Sequence, residues 1–371
     1  MITYTSALSR RAFFGYSAAT VVLATLGIGA TNYPALAAPG STPPRPQNAL
    51  QALFNAMDKY PLIGLGEAHR LQEEHDFIQA LLYHPALPGK INDIVVEFGN
   101  ARYQEIIDRF ISGQPVANTD LRQIWRNTTI TGANPVWDAP VYEQFFRSVR
   151  AVNMMLPPSQ RLRVLLGDPP IDWDKVQRKE DWVAYALQRD THFAGVVERE
   201  VLQKGRRALL IAGTNHLLHN IRGEGDPDQP PDKAPFNAAT QIEQRHPHSL
   251  FSIDILIILP EDTSAQARQI ATWNRPAMIT LAGTWLGAET IPSNTGAAAT
   301  TRAALADAML YLGQAGDLTA SRPDPSLYQS GEYAAELERR GKMLVAWGIQ
   351  QGDPLEVALK QAELGPGYFS S

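Results

Sequence analysis

The sequence predicts an α/β protein with a mainly parallel central sheet flanked by helices, carrying a helical insertion and a helical C-terminal extension. Three observations lead there. Short apolar runs recur along the chain, most without polar alternation, as expected of strands buried on both faces. Between them, apolar residues repeat at helical spacing. Four of the runs lead directly into an acid or a histidine, and the C-terminal edge of an open α/β sheet is where ligands bind.

The expected strands are residues 62–65, 94–96, 162–166, 208–212 and 253–258. Tyr103, Ile106, Ile107, Phe110 and Ile111 form one apolar stripe, ended by Gly113. Tyr142, Phe145, Phe146 and Val149 form a second, and Phe193, Val196, Val197 and Val201 a third. Strands alternating with helices imply right-handed parallel crossovers. Residues 101–160 are too long for one crossover and are expected to hold two or three helices. Residues 223–237, rich in Gly, Pro and Asp, are expected to form a mobile loop or lid. From about Glu261 the pattern reads as helical, most clearly over residues 302–312 and 332–345. The expected organisation is a signal peptide (1–37), a linker and first helix (38–60), an α/β core (61–260) with its insertion at 101–160, and an extension packed on the core (261–371).

The N-terminus reads as an address. Ser9-Arg10-Arg11-Ala12-Phe13-Phe14-Gly15 precedes an apolar run over residues 21–28, and Ala35-Leu36-Ala37 offers a cleavage site. The arginine pair resembles a twin-arginine export signal; an ordinary Sec signal is the alternative. The apolar run is shorter than the roughly 20 residues a membrane span needs. The mature chain is therefore expected outside the cytoplasm, periplasmic or extracellular, with no membrane span. The formal net charge of −5, with both signs dispersed, argues against nucleic acid as a partner. With no cysteine, disulfides, thiolate metal sites and cysteine nucleophiles are excluded.

The candidate site lies just past the strands: Glu67 and His69 after the first, Glu97 after the second, Asp168 after the third and His216 after the fourth. Glu67 and His69, two apart in an extended segment, point the same way. His75 shares the apolar stripe of the next helix and faces the strand ends, either as a site residue or as a core histidine. Asp168 joins the site or caps a turn. Asn100 and Arg102 bind an anionic group or form a surface pair. Trp125, Trp137 and Trp173 wall a ligand or fill the core. Such residues serve two chemistries: a histidine oriented by a carboxylate takes a proton from water, or carboxylates and imidazoles together hold a metal ion that activates water. H-E-x-x-H, G-x-S-x-G and Walker motifs are absent from the sequence.

Gly64-Leu65-Gly66-Glu67-Ala68-His69, His75, Glu97, Arg189-Asp190-Thr191-His192-Phe193-Ala194 and Ala212-Gly213-Thr214-Asn215-His216 follow in an order that resembles the superfamily of erythromycin-esterase-like proteins, ChaN-like haem-binding proteins and TraB/Tiki proteases. The resemblance spans roughly residues 61–260. The esterase branch implies an exported hydrolase of an ester or amide-like bond. His69 would be the general base, Glu67 and Glu97 would orient it and the water, and His216 would bind substrate or steady the oxyanion. Arg189 and Asp190 would support the site. The Tiki-like branch implies a divalent metal held by Glu67, His69, Glu97 and His216. The ChaN-like branch implies a haem-binding protein without catalysis, with His69, His75 or a nearby tyrosine as axial ligand. The partner is accordingly a small-molecule substrate or haem, and the cofactor none, a metal ion or haem. The esterase motif reads G-E-x-x-H, whereas His69 follows Glu67 by two positions, as in the ChaN-like pattern; Arg189-Asp190 resembles the esterase branch.

Overall fold

The structure is a computed structural model that describes residues 41–132, 135–225, 229–230, 233–259, 261–291 and 300–369. The export motif and its cleavage site lie outside the described residues. A central sheet of eight strands is formed by β1 (Gln47–Asn48), β2 (Leu62–Glu67), β3 (Asp93–Asn100), β4 (Arg163–Asp168), β5 (Ala208–Gly213), β6 (Leu250–Leu256), β7 (Ala277–Thr280) and β8 (Ala308–Tyr311). Their spatial order is β1-β7-β8-β6-β2-β5-β3-β4. From β8 to β4 every neighbouring pair is parallel, and β7 and β1 add an antiparallel edge.

All residues of β2, β3 and β5 are buried, which is why these runs lack alternation. The pleat divides them between two apolar layers. Ile63, Leu65, Ile94, Val96, Leu209 and Ile211 face one layer. Leu62, Val95, Ala208, Leu210 and Ala212 face the other. The first layer is covered by α1 (Ala49–Met57), α2 (Gln72–Leu82) and the insertion helices α3 (Gln104–Ile111), α4 (Asn118–Arg126) and α5 (Pro140–Met155). Beyond the insertion comes α6 (Lys179–Ala186); the second layer is covered by α7 (Arg189–Glu200) and α8 (Ala238–Arg245).

The strands run further than the apolar runs alone indicate. β2 and β5 stay paired through Gly66↔Ala212 and Glu67↔Gly213, so the polar residues that follow each run are still sheet. In β3 the register to β4 shifts between Val96 and Asn100. Glu97 sits in that irregular stretch, a device that commonly re-aims a side chain beside a functional site.

Residues 302–312 are not the expected helix. Only Arg302–Leu305 is helical, and Ala308–Tyr311 is a fully buried strand between β6 and β7. A short apolar run has no period that separates strand from buried helix, and only its neighbours decide. Ala277–Thr280 enters the sheet as well. The C-terminal part is helical at α9 (Ala265–Ile270), α10 (Glu332–Ala346) and α11 (Pro354–Glu363). The stem of the 223–237 loop is closed by a bridge between Arg222 and Phe236.

Candidate functional site

Glu67 ends β2 and is 3% exposed. Its Oε1 accepts from the Tyr142 hydroxyl at 2.6 Å and from His75 Nε2 at 3.0 Å. Its Oε2 lies 3.2 Å from Nδ1 of His69, in ion-pair reach but off the hydrogen-bond line. Burial would raise the pKa of this carboxyl, but His69 and His75 outweigh it and hold it at about 2. Glu67 is therefore an anion at neutral pH. His75 is sealed in the interior with its ring edge against Tyr142. His69 reaches the surface, with 18% of its side chain exposed against 13% for His216, and its ring lies edge-on to Trp137 at 4.7 Å.

The far side of the His69 ring rests on β5. A Cβ at Gly213 would come 3.0 Å from His69 Nε2 and 3.3 Å from Glu97 Oε2, so this glycine lets the main chain pass between the two. The Gly213 N–H itself donates to Glu97 Oε2 at 2.6 Å. Glu97 Oε1 takes Arg189 Nη2 and lies 3.3 Å from His216 Nε2. Burial opposes the Glu97 charge, but His216 and Arg189 drive its pKa well below the ordinary range.

Asp190 accepts from His216 Nδ1 and from the Ala238 N–H, both at 2.8 Å. Burial would lower the His216 pKa; Asp190 and Glu97 on its two nitrogens raise it well above 6.5 instead, so this imidazole is a cation. Arg189 also pairs with Glu224 at 2.7 Å, and its Nε is 3.5 Å from Asp168. Asp168 accepts from the Thr129 N–H and hydroxyl at 2.8 and 3.0 Å. Burial pushes Asp168 up to about 7 although Arg189 and Thr129 work against it.

Glu67, His69, His75, Glu97, Asp168, Arg189, Asp190 and His216 thus lie in one connected cluster at the sheet's C-terminal edge. Asn100 and Arg102 do not join it. Asn100 is fully buried and ties its side chain to the carbonyls of Asn127 and Ile171 and to the Arg102 N–H, while Arg102 pairs with Asp172 at 3.2 Å. Trp125, Trp137 and Trp173 are all core, and Trp137 also touches His69.

Three further members carry no motif. Tyr142 reads as one more apolar position of its stripe, and Glu224 lies in a loop of mixed polarity. Glu74 is fully buried and accepts from the Ala68 N–H at 2.9 Å; burial and Glu67 raise its pKa well above the ordinary value. Its place directly before His75 was the one available signal.

The donor set does not fit a divalent metal. Glu97 spends both oxygens on protein N–H groups, His216 directs both nitrogens at carboxylates, and Glu67 is engaged by Tyr142, His75 and His69. Among the described residues no group of three or more acids and histidines is arranged to hold a metal ion. For haem, His75 and Tyr142 are both sealed and bonded to Glu67; of the two predicted histidines, His69 is the one with surface access. No helix among the described residues is long and apolar enough to cross a membrane.

No family model matches this chain, and no curated protein matches it in sequence. Several solved structures are similar to it at low sequence identity. A Bacillus cereus protein is 11% identical over 76% of this chain and 96% of its own, with a TM-score of 0.49. An erythromycin esterase mutant in its open conformation is 11% identical over 74% of this chain and 98% of its own, with a TM-score of 0.48. ChaN of Campylobacter jejuni, described with cofacial haem binding, is 16% identical over 57% of this chain and 86% of its own, with a TM-score of 0.35. Two of the branches that the sequence motifs resemble appear by name among these structures.

Proposed function

We propose that this protein is a hydrolase of an ester or amide-like bond in which His69 activates water. The observation that carries the proposal is the pairing of an accessible imidazole with a buried anion behind it. With Nδ1 beside the Glu67 carboxylate, His69 presents the Nε2 lone pair to a water molecule. Nε2 takes one water proton as the oxygen attacks the carbonyl carbon. The same proton then passes to the leaving group when the old bond breaks. His216 and Arg189 have their N–H groups largely committed to carboxylates, so they act by fixing positive charge near the reaction centre, where it favours a developing oxyanion. Glu97 and Asp190 are positioning residues for those cations. The Ser9–Gly15 motif supports activity outside the cytoplasm, after export by the twin-arginine route.

The test is hydrolysis of a p-nitrophenyl ester series by the purified wild type and by His69→Ala. Removal of one positioned base is expected to slow turnover by about 10²–10⁴-fold, with the circular-dichroism melt retained. A folded His69→Ala variant as fast as wild type removes the assignment. A Soret band on purification, or on adding haemin, that disappears in the same variant would instead support the haem-binding reading.

A further inference from the structure

We propose that Arg70 and Arg322 form a subsite beside His69 for an oxyanion, a carboxylate or phosphate group carried by the ligand. The proposal rests on the hydrolase reading only in calling that ligand a substrate; the binding it describes does not require turnover.

Arg70 directly follows His69 and is held at φ +68°, a left-handed conformation that long side chains rarely adopt and that clusters at functional sites. The chain is pinned there from outside. Leu71 bridges Ala320, and the Ser321 N–H donates to the Arg70 carbonyl at 2.8 Å. Arg322 follows Ser321 directly and is near enough to Arg70 for its charge to be felt. The tail closes over the same place, the Tyr368 hydroxyl donating to the His69 carbonyl at 3.3 Å.

Among the described residues neither guanidinium has an anionic partner. Arg70 is 4% exposed, donates from Nη1 to the neutral Gln361 at 3.2 Å, and keeps its buried Nε without a partner. Arg322 reaches only the carbonyls of Gly365 and Gly367, at 3.5 and 3.3 Å, and its buried Nε is likewise without a partner. Among the described residues no carboxylate pairs with either one, whereas Arg189, as buried as Arg70, has three acids around it. Nearby acids are already committed: Glu67 to His75 and Tyr142, and Glu74 to the neutral form favoured by burial. Burial first, and then the Arg70 charge, push the Arg322 pKa down, so the two cations feel each other.

A buried cation without a counter-charge is costly. Two that repel each other are stabilised together by one anion bound between them, and the planar guanidinium fork matches carboxylate and phosphate oxygens. The subsite would hold the charged end of a substrate whose scissile bond lies at His69, thereby selecting anionic over neutral esters.

The test is calorimetric titration of the intact protein with inorganic phosphate, with succinate and, as a neutral control, with succinamide. One of the two anions is expected to bind and succinamide is not. Arg322→Gln and Arg70→Gln are each expected to weaken that binding by on the order of tenfold or more, as loss of a charge-assisted hydrogen bond does. The anion that binds identifies the oxyanion class. If neither anion binds the wild type, or if a folded Arg322→Gln binds as tightly as wild type, the subsite is refuted. Arg322 is only half-buried, so its variant decides the matter even if Arg70→Gln fails to fold. Anion binding by a protein that hydrolyses no ester would sink the hydrolase reading and leave the subsite standing.

Discussion

At Glu67 three side chains converge on one carboxylate, and its charge state governs the cluster. Its folded pKa of about 2 lies below the ordinary 4.5. A depressed carboxyl contributes stability that is present above its unfolded pKa and is lost as pH falls through the folded one. The window is thus pH 4.5 down to about 2, and the contribution is about 3 kcal/mol at neutral pH. Urea midpoints should fall steeply for the wild type between pH 5 and 3, and much less for Glu67→Gln. Equal slopes in the two proteins would show that Glu67 does not carry this linkage. His216 has the opposite sign: against its burial, Asp190 and Glu97 raise it well above 6.5, so its contribution is whole below pH 6.5 and is lost as pH rises from there through the folded pKa. Glu67, His69, Glu97 and His216 were legible because each falls within four residues after an apolar run. Glu74 and Tyr142 were not, because only packing turns a helix position toward a strand end.

At the scale of elements, α7 does the most positioning. Phe193, Val196 and Val197 dock it on the second apolar layer, and Gly167 of β4 leaves room for the Phe193 ring. The docked helix delivers Arg189 and Asp190 in its first turn, one to Glu97, Glu224 and Asp168, the other to His216 and the start of α8. Arg189→Leu leaves the Glu97 carboxylate short of its buried cation and is expected to destabilise the fold by about 3–5 kcal/mol. Chemical denaturation at pH 7 measures this; a loss under 1 kcal/mol would mean that the network relaxes around the gap. The stripe of α7 was readable from its 3.6-residue period. Which acids Arg189 meets was not, since they arrive from β3, β4 and the 223–237 loop.

For the whole molecule, the C-terminal third completes the core as well as covering it. Met278, Ala308 and Leu310 belong to the first apolar layer. The tail is clamped to the insertion through Asp138, which accepts from Tyr328 and Tyr333 at 3.1 and 2.7 Å and pairs with Arg126 at 3.1 Å. A chain ending at residue 260 loses β7 and β8, leaves β6 as a bare apolar edge and strips β1 of its partner. Such an edge invites association, so the truncated protein is expected to aggregate or to melt without a cooperative transition; a sharp monomeric melt would contradict this.

The sequence by itself determined the parallel α/β core, its strand positions and the edge on which the acids and histidines gather. Those follow from period and burial, properties local to each segment. Only the tertiary structure decided that Ala277–Thr280 and Ala308–Tyr311 are strands, that Asn100 and Arg102 are tied to partners outside the cluster, and which imidazole is paired with which carboxylate. Each of these depends on contacts between segments far apart in the chain, and no local pattern of residues encodes them.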